Sequence, residues 1–427
     1  MLSALLFLVC ASRPASGVPA PPADVAPALP EAVAEGTAAP AAPPAPEAVR
    51  GLAAGLNGFA CGLWRELSAG SGAPGNLFLS PLSAAEALGM VLEGAEGGTA
   101  DEIAGALGLP VRGEALPATW AGLREGLRRA GGGEGGVFRA AASLWPATGF
   151  PLRRGFLDGL GRGFGPSAFP VDYAGDGAAA REAINAWALD ATGGLITDLL
   201  PEPLPPETAL VLANAVYFKG RWGAPFDPGL TAEGDFRAPG GRVVRARYMT
   251  RTGRYGYVAD GPGQILELPF AGGSFVMDVL LPGEGEGALA ALEGALAGDT
   301  LAARLSSLAA REVQVSLPRF RLGWGSASLK DALAALGVRD LFTGRADLSG
   351  MAEGGGLLVS DVFHKAFVEV DEEGAEAAAA TGAGVSVTSI GPPPVRFAAD
   401  RPFLFLIRDT GTGAVVFAGR LADPSAE

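Results

Sequence analysis

The feature that most constrains the fold of this chain is a stretch of small residues between two strand patterns. The stretch covers residues 370–394 and reads VDEEGAEAAAATGAGVSVTSIGPPP. Apolar and β-branched residues dominate the flanking runs 357–370 and 403–408, which are predicted to be strands. A long connection without large side chains is uncommon inside a compact domain, and such segments are usually functional or disordered.

Three conformations are open to this stretch: an irregular loop, a short helix across the alanines, or a strand. A strand inside an existing sheet needs small side chains at every second residue, on its buried face. The alternating residues Ala375, Ala377, Ala379 and Thr381 meet that requirement. Gly374 precedes them and lacks a Cβ, so it is a candidate hinge. The segment is therefore also compatible with a strand inserted into a sheet.

Charge balance excludes one class of partner. The 427 residues include 32 Lys and Arg and 46 Asp and Glu, which gives a formal net charge of −14 and a sequence pI near 4.7. Neutralising phosphates requires clustered Lys and Arg, so we expect no nucleic-acid partner. Hydrophobic residues make up 48% of the chain, which suffices for a large buried core.

Side chains for hydrolytic or metal chemistry are scarce. His364 is the one histidine, so a Ser-His-Asp triad, a Cys-His pair or a His-ligated zinc site would have to include it. No nucleophile motif such as G-x-S-x-G accompanies it, which favours a structural, hydrogen-bonding role. Cys10 and Cys61 are too few for a zinc cluster or a disulfide framework. We therefore predict a protein that is not an enzyme and that needs no metal and no cofactor.

The N-terminal residues have the pattern of a leader. Residues 2–9 are apolar and are followed by small residues, with a possible signal-peptidase site at 15–17, although no basic residue precedes the apolar run. We predict a signal peptide over residues 1–17 and a secreted or cell-envelope protein. Cys10 is an alternative site for a lipid anchor, and a leader that does not function would leave the protein in the cytoplasm.

A linker follows the leader and precedes the folded domain. Residues 18–48 consist almost wholly of Ala, Pro, Val and Glu, which predicts a disordered linker. The folded domain is expected over residues 49–427. No apolar run within it approaches the ~20 residues of a membrane span, so we expect no membrane-spanning segment.

Hydrophobic periodicity predicts helices early and strands late. Helical spacing appears at 52–67, 83–94, 99–107 and 178–192, and Thr99 with Glu102 has the spacing of a capping box. Strand patterns occupy 137–145, 209–219, 264–269, 275–281, 313–322, 357–370, 403–408 and 414–420. This order predicts an α+β fold with large sheets.

Six motifs along the predicted domain resemble, in order and spacing, those of the serpin family. They are NLFLSPLS at 76–83, INAW at 184–187, NAVYFKGRW at 214–222, ADLSGM at 346–351, FHKA at 363–366 and RPFLFLIR at 401–408. Each motif alone is weak, whereas their common order makes the resemblance specific. It implies the serpin fold, with about eight or nine helices around three β-sheets and an exposed reactive-centre loop.

The resemblance also implies suicide inhibition of a serine protease. In serpins, the segment that follows a sequence such as EEGAEAAAAT is offered to the protease as bait. The protease forms an acyl-enzyme, and the cut loop inserts as a new central strand of the main sheet. The hinge positions implied here are Glu372, Gly374, Ala375, Ala377, Ala379 and Thr381.

The family's spacing from Glu372 places the scissile bond between Thr388 and Ser389. A shift of one residue would place the cut after Val387 or after Ser389. Because all three residues are small and uncharged, a trypsin-like protease is disfavoured. An elastase-like or subtilisin-like serine protease is the expected partner of a protein that, like other active serpins, is expected to be a monomer.

Further residues acquire roles only through the resemblance. It assigns Ser80, Ser83, Asn214 and His364 to the "shutter", beneath the place where the main sheet opens. Trp222 corresponds to the "breach" at the top of the sheet, where insertion begins, with plain core packing as its alternative role.

A second functional class is compatible with the same sequence. Gly382 and Gly384 lie within the segment that would insert, and glycine weakens a strand. The chain could then be a non-inhibitory serpin that acts as a protease substrate, a binding scaffold or a chaperone. A denaturant-stable covalent adduct with a protease would distinguish an inhibitor from these.

Overall fold

The structure is a computed structural model that describes most of the predicted domain. The described residues are 43–69, 75–109, 115–131, 136–165, 167–373 and 393–426, with the single positions 32 and 113. The predicted signal peptide and most of the linker lie outside them. So do these predicted loop residues: Gly374, Ala375, Ala377, Ala379, Thr381, Gly382, Gly384, Val387, Thr388 and Ser389.

The described residues contain nine α-helices. They are α1 Pro46–Ala69, α2 Pro81–Leu92, α3 Gly97–Ala106, α4 Ala115–Gly131, α5 Arg154–Gly163, α6 Gly177–Ala191, α7 Ala288–Gly294, α8 Gly298–Ser306 and α9 Lys330–Ala335. All four helices expected from periodicity are present. The first begins at Pro46, three residues before the expected domain boundary, because a proline fits the first turn of a helix. No helix in the described part of the chain is long and apolar enough to cross a membrane.

The predicted capping box at Thr99 is wrong. Helix α3 begins at Gly97, so Thr99 lies inside its first turn. The Thr99 hydroxyl instead accepts the Asp347 N–H at 3.0 Å. The Glu102 carboxylate accepts the N–H groups of Arg339 and Asp340, each at 2.8 Å. These two side chains therefore connect α3 to residues 339–347 and do not cap the helix.

Thirteen strands are found in the described residues. They are β1 Leu77–Leu79, β2 Gly136–Pro146, β3 Leu210–Gly220, β4 Ala232–Arg237, β5 Val243–Asp260, β6 Gly263–Pro269, β7 Phe275–Pro282, β8 Ala309–Pro318, β9 Phe320–Ser328, β10 Asp361–Val370, β11 Val395–Ala398, β12 Phe403–Asp409 and β13 Val415–Leu421. The single strand expected at 313–322 is wrong. The strand is interrupted at Arg319, and the two resulting strands, β8 and β9, belong to different sheets. The strand expected from 357 begins only at Asp361.

The expected three sheets appear as two hydrogen-bonded sheets in the described residues. One has four strands in the order β2-β3-β10-β9. The other has nine, because the long strand β5 pairs with β4 through residues 243–248 and with β6 through residues 256–260. Strand β5 thus joins two smaller sheets into one.

The main core lies between the two sheets. Phe218 of β3 meets Phe417 of β13, with ring centroids 5.8 Å apart. Phe320 of β9 meets Phe405 of β12 at 5.3 Å. Phe78 of β1 stacks on Phe417 at 5.2 Å. The inner face of the four-stranded sheet is therefore buried against the other sheet, and α6 packs on its outer face through a second cluster of buried apolar residues.

Candidate functional site

The candidate site is the seam between β3 and β10, the two central strands of the four-stranded sheet. These strands are parallel neighbours and pair from Val211 with Asp361 to Phe218 with Val368. No strand of the described residues lies between them. Strand β10 leads directly into the predicted reactive loop, so the loop leaves the sheet at one end of this seam.

Four buried polar residues lie together beneath the seam, and they are the four predicted shutter residues. Ser80, Ser83, Asn214 and His364 are all fully buried, and Asn214 is the cross-strand partner of His364. Ser80 caps α2 by accepting the Ser83 N–H at 3.2 Å, and its hydroxyl donates to a carbonyl of β13 at 2.8 Å. The Ser83 hydroxyl donates to Asn214 Oδ1 at 2.9 Å. One hydrogen-bonded cluster thus connects α2, both seam strands and the second sheet.

His364 has the environment of a structural residue. Its Nε2 accepts the Ser80 N–H at 3.1 Å, which requires an unprotonated nitrogen. Burial lowers the pKa of His364 to about 3, so the ring is neutral at physiological pH. His364 Nδ1 and Asn214 Nδ2 have no partner among the described residues. A polar group that enters the seam can therefore find two open hydrogen-bonding atoms.

Trp222 lies where the loop leaves the sheet. The indole is almost fully buried and stacks on Phe270 with ring centroids 4.8 Å apart. Its Nε1–H donates to the Asp371 carbonyl at 2.8 Å, and its backbone N–H donates to the Glu373 carbonyl at 3.3 Å. Trp222 therefore both packs in the core and holds the chain that follows β10. Its part in loop entry stays a prediction.

Glu372 is held in place by contacts of both its side chain and its backbone. Only 5% of its surface is exposed, and its carboxylate accepts the Thr231 hydroxyl at 2.7 Å. Arg319 forms an ion pair with the same carboxylate at 3.2 Å. The Glu372 carbonyl accepts the Phe226 N–H at 2.9 Å. Glu372 is therefore the fixed base of the predicted hinge in this state.

We call the contacts of Glu372 with Thr231, Phe226 and Arg319 the clamp. None of these three partners was predicted from the sequence. Thr231 and Phe226 precede β4 and have no distinctive pattern. Arg319 had a visible signal, because it interrupts the apolar pattern between β8 and β9. Its partner could not be read from the sequence, because Glu372 lies 53 positions away.

The two strands that flank the predicted loop, β10 and β11, belong to different sheets. Its N-terminal end continues β10 of the four-stranded sheet, whereas its C-terminal end continues into β11. Strand β11 is anchored in the nine-stranded sheet by parallel pairing with β8.

Comparison with known proteins identifies the family. The family model described as serpin, serine protease inhibitor, matches residues 54–424. A serpin-like protein of Thermococcus kodakarensis is 37% identical over 375 residues, which cover 86% of this chain and 85% of the relative. Leukocyte elastase inhibitor of Sus scrofa is 36% identical over 381 residues, which cover 87% of this chain and 99% of that protein. The chain therefore belongs to the serpin family.

Solved structures agree with this assignment. The crystal structure of uncleaved ovalbumin matches with a TM-score of 0.77 and 29% identity, covering 87% of this chain and 100% of that one. The native thermophilic serpin tengpin gives a TM-score of 0.77 at 24% identity, covering 90% of this chain and 96% of that one. Serpins are inhibitors of proteases rather than catalysts, and the family implies a protease as partner.

Proposed function

We propose that this serpin is a suicide inhibitor of serine proteases, and the geometry of the seam is the observation that carries the proposal. The loop follows β10, so a loop that folds back onto the sheet runs antiparallel to β10. Because β3 is parallel to β10, the same segment is antiparallel to both of its neighbours. Insertion thus replaces one parallel pairing by two antiparallel ones, which are slightly more stable per residue.

The chemical step uses the protease's own machinery. The protease serine Oγ attacks the carbonyl carbon of Thr388, and the bond from that carbon to the Ser389 nitrogen breaks. The protease's general base takes the serine proton and passes it to the departing Ser389 amine. The products are an ester between the protease serine and Thr388, and a new N-terminus at Ser389.

Insertion competes with hydrolysis of this ester. Insertion of ~15 residues at ~3.3 Å per residue would move the attached protease on the order of 50 Å along the sheet. The residues placed on the buried face are the small side chains Ala375, Ala377, Ala379 and Thr381. If insertion is faster than water attack, the protease is trapped; if it is slower, the serpin is released as a cut substrate.

The residues around the proposed cut favour a protease with a small, uncharged S1 pocket. Val387, Thr388 and Ser389 offer neither the Arg nor the Lys that a trypsin-like pocket binds. We propose an elastase-like or subtilisin-like serine protease as the target.

Substrate behaviour is the second candidate function, and a specific observation favours it. Gly382 and Gly384 fall in the inserting segment, where each loses more backbone freedom than any other residue would. Slow insertion would give a nicked serpin and an active protease.

The test is incubation with pancreatic elastase and with subtilisin, followed by denaturing electrophoresis and mass spectrometry. An inhibitor gives a denaturant-stable adduct and releases a fragment that begins at Ser389. The variant Thr381→Arg keeps the cut site but places a charge on the inserting face, so it should give only nicked chain. A wild-type protein that is nicked without any adduct would contradict the proposal and favour the substrate function.

A change of specificity tests the position of the cut. In Thr388→Arg, the residue before the scissile bond fits a trypsin-like pocket, so trypsin should form the adduct and elastase should lose it. Ser386→Arg is the matched control, because it adds the same charge two residues earlier. Equal adduct formation with trypsin by both variants would contradict the assignment of Thr388.

A further inference from the structure

The two sheets leave a cavity between their edges, and we call it the edge pocket. It has a volume of about 460 Å³ and is lined by β1 and β9, each of which lies at one end of its sheet. The last turn of α1 and the first turn of α9 also line it. A volume of roughly 300–1,000 Å³ is typical of sites for small molecules. The residues that determine its chemistry are Glu66, Leu67, Leu77, Trp324, Asp331 and Arg420.

Arg420 of β13 lines the edge pocket and has unused hydrogen-bonding capacity. Only 2% of its surface is exposed. Its Nε donates to the Gly75 carbonyl at 2.7 Å, and its Nη1 pairs with Glu293 of α7 at 2.7 Å. Its Nη2, which carries two of the five guanidinium N–H groups, has no acceptor among the described residues. Because a buried donor without a partner is costly, Arg420 favours a ligand that brings an acceptor, and a carboxylate is the strongest one.

Two carboxylates line the same pocket without a cation of their own. Glu66 is half-buried in the last turn of α1, and Asp331 is exposed in the first turn of α9. Neither carboxylate forms an ion pair or accepts a hydrogen bond within the part of the chain that the structure describes. Arg420 is already paired with Glu293, so it does not neutralise them. The pocket therefore has an excess of negative charge, which favours a ligand with cationic groups.

Trp324 of β9 provides an aromatic wall of the edge pocket. Its indole is half-buried, and its ring centroid lies 6.0 Å from that of His364 on the neighbouring strand. Leu67 and Leu77 add apolar surface to the same pocket. An apolar wall binds an aliphatic stem, and the face of an indole attracts an ammonium or guanidinium group. This wall therefore suits a ligand whose cationic group is carried on a short aliphatic chain.

Two further polar side chains of the edge pocket already have partners in the protein. Asn76 Nδ2 donates to the Asp423 carbonyl at 2.8 Å, and Asn76 Oδ1 accepts the Asp423 N–H at 2.9 Å. The Ser328 hydroxyl donates to the Asp361 carboxylate at 2.5 Å and accepts the Lys330 N–H at 3.2 Å. These contacts hold the walls of the pocket in place. The charged groups open to a ligand are therefore one guanidinium and two carboxylates.

We propose that the edge pocket binds a free amino acid with a basic side chain, such as arginine or lysine. Such a molecule carries one carboxylate and two cationic groups, which match Arg420, Glu66 and Asp331 in number and sign. A metal ion is disfavoured, because the described residues contain no group of three or more His, Cys, Asp or Glu side chains that could hold one. A dicarboxylate would be repelled by the two carboxylates, and a neutral sugar would leave them without a cation. Binding does not depend on the proposed inhibitory function.

Isothermal titration calorimetry of the full chain with L-arginine tests the proposal, and two analogues test its individual contacts. Agmatine is arginine without the carboxylate, and L-citrulline has the same shape as arginine without the side-chain charge. Each analogue should bind at least about ten-fold more weakly than L-arginine, the change expected for loss of one charge-assisted contact. Absence of L-arginine binding would overturn the proposal, and so would equal affinity for agmatine or for L-citrulline.

Asp331→Asn tests the pocket from the side of the protein. Because Asp331 is exposed, the substitution should leave the core intact while L-arginine binds about ten-fold more weakly. Asp299→Asn is the matched control, since Asp299 lies in the first turn of α8, another short helix, and does not line the pocket. It should bind L-arginine as the wild type does. Unchanged affinity in Asp331→Asn, or equal weakening by both variants, would overturn the proposal.

Tryptophan fluorescence shows where the amino acid binds. L-arginine in the edge pocket contacts the Trp324 indole, so saturation should change the emission of the wild type. Trp324→Phe keeps an aromatic ring at this position and should lose that change, while the other tryptophans emit as before. If Trp324→Phe does not fold, the analogues and Asp331→Asn still decide the question. A folded Trp324→Phe protein with the wild-type change would place the ligand elsewhere and overturn the proposal.

Discussion

At the scale of single residues, the buried histidine shows how one side chain connects the parts of the site. His364 accepts the Ser80 N–H, and Ser80 in turn holds α2 and a carbonyl of β13. In His364→Ala that N–H is left buried without an acceptor, at a cost of about 1–3 kcal/mol. We expect spontaneous insertion or polymerisation on storage, seen by size-exclusion chromatography. An unchanged lifetime with full inhibitory capacity would contradict this role.

The same residue predicts a dependence of stability on pH. Burial lowers the pKa of His364 from 6.5 to about 3, so between these values the unfolded chain binds a proton that the folded protein does not. The free energy of unfolding should therefore fall as the pH is lowered from 6.5 towards 3, by about 1.4 kcal/mol per pH unit from this group.

The matched variant is His364→Gln, which does not titrate. Burial also raises the pKa of Glu93 to about 7 and that of Asp278 to about 6, but these contributions cancel when the two proteins are compared. Urea unfolding at pH 7 and pH 4.5 measures the difference. Parallel pH profiles for wild type and His364→Gln would contradict the assignment.

At the scale of elements, the clamp around Glu372 holds the chain at the end of β10, from which the proposed reactive loop would begin to move. In Glu372→Gln, the Arg319 guanidinium loses its charged partner while the Thr231 hydroxyl keeps an acceptor. We expect a loss of about 1–3 kcal/mol in the free energy of unfolding and faster annealing of a peptide with the sequence of residues 374–388. Glu373→Gln, one residue further along, is the control. Equal effects of both variants would contradict a specific clamp.

Many of the helices and strands were predictable from the sequence, for physical reasons that differ between elements. The period of apolar residues predicted α1 and α6 because each buries one face. Breaks were predicted poorly, since β8 and β9 are apolar on both sides of Arg319 and only tertiary packing sends them to different sheets. The long strand β5 was missed because exposed arginines interrupt its pattern. The ion pair between Asp198 and Lys365 could not be foreseen, because the two residues are 167 positions apart.

At the scale of the whole molecule, the account requires that the intact fold is not the most stable arrangement of the chain. The seam is closed by one parallel pairing, while a segment suited to antiparallel pairing on both sides follows directly from β10. Insertion adds about a dozen hydrogen bonds in a ladder, each contributing ~1 kcal/mol net. The four predicted shutter residues were assigned through family motifs, but the sequence alone could not show that they meet beneath this seam.

The most direct measurement compares the melting temperatures of the intact protein and of the protein cut in the reactive loop by a protease that is then removed. Insertion predicts that the cut protein melts higher by roughly 15 °C, since about a dozen hydrogen bonds contribute ~1 kcal/mol each and each kcal/mol shifts the midpoint of a domain of nearly 400 residues by about 1.3 °C. A cut protein that melts at or below the temperature of the intact one would contradict the account.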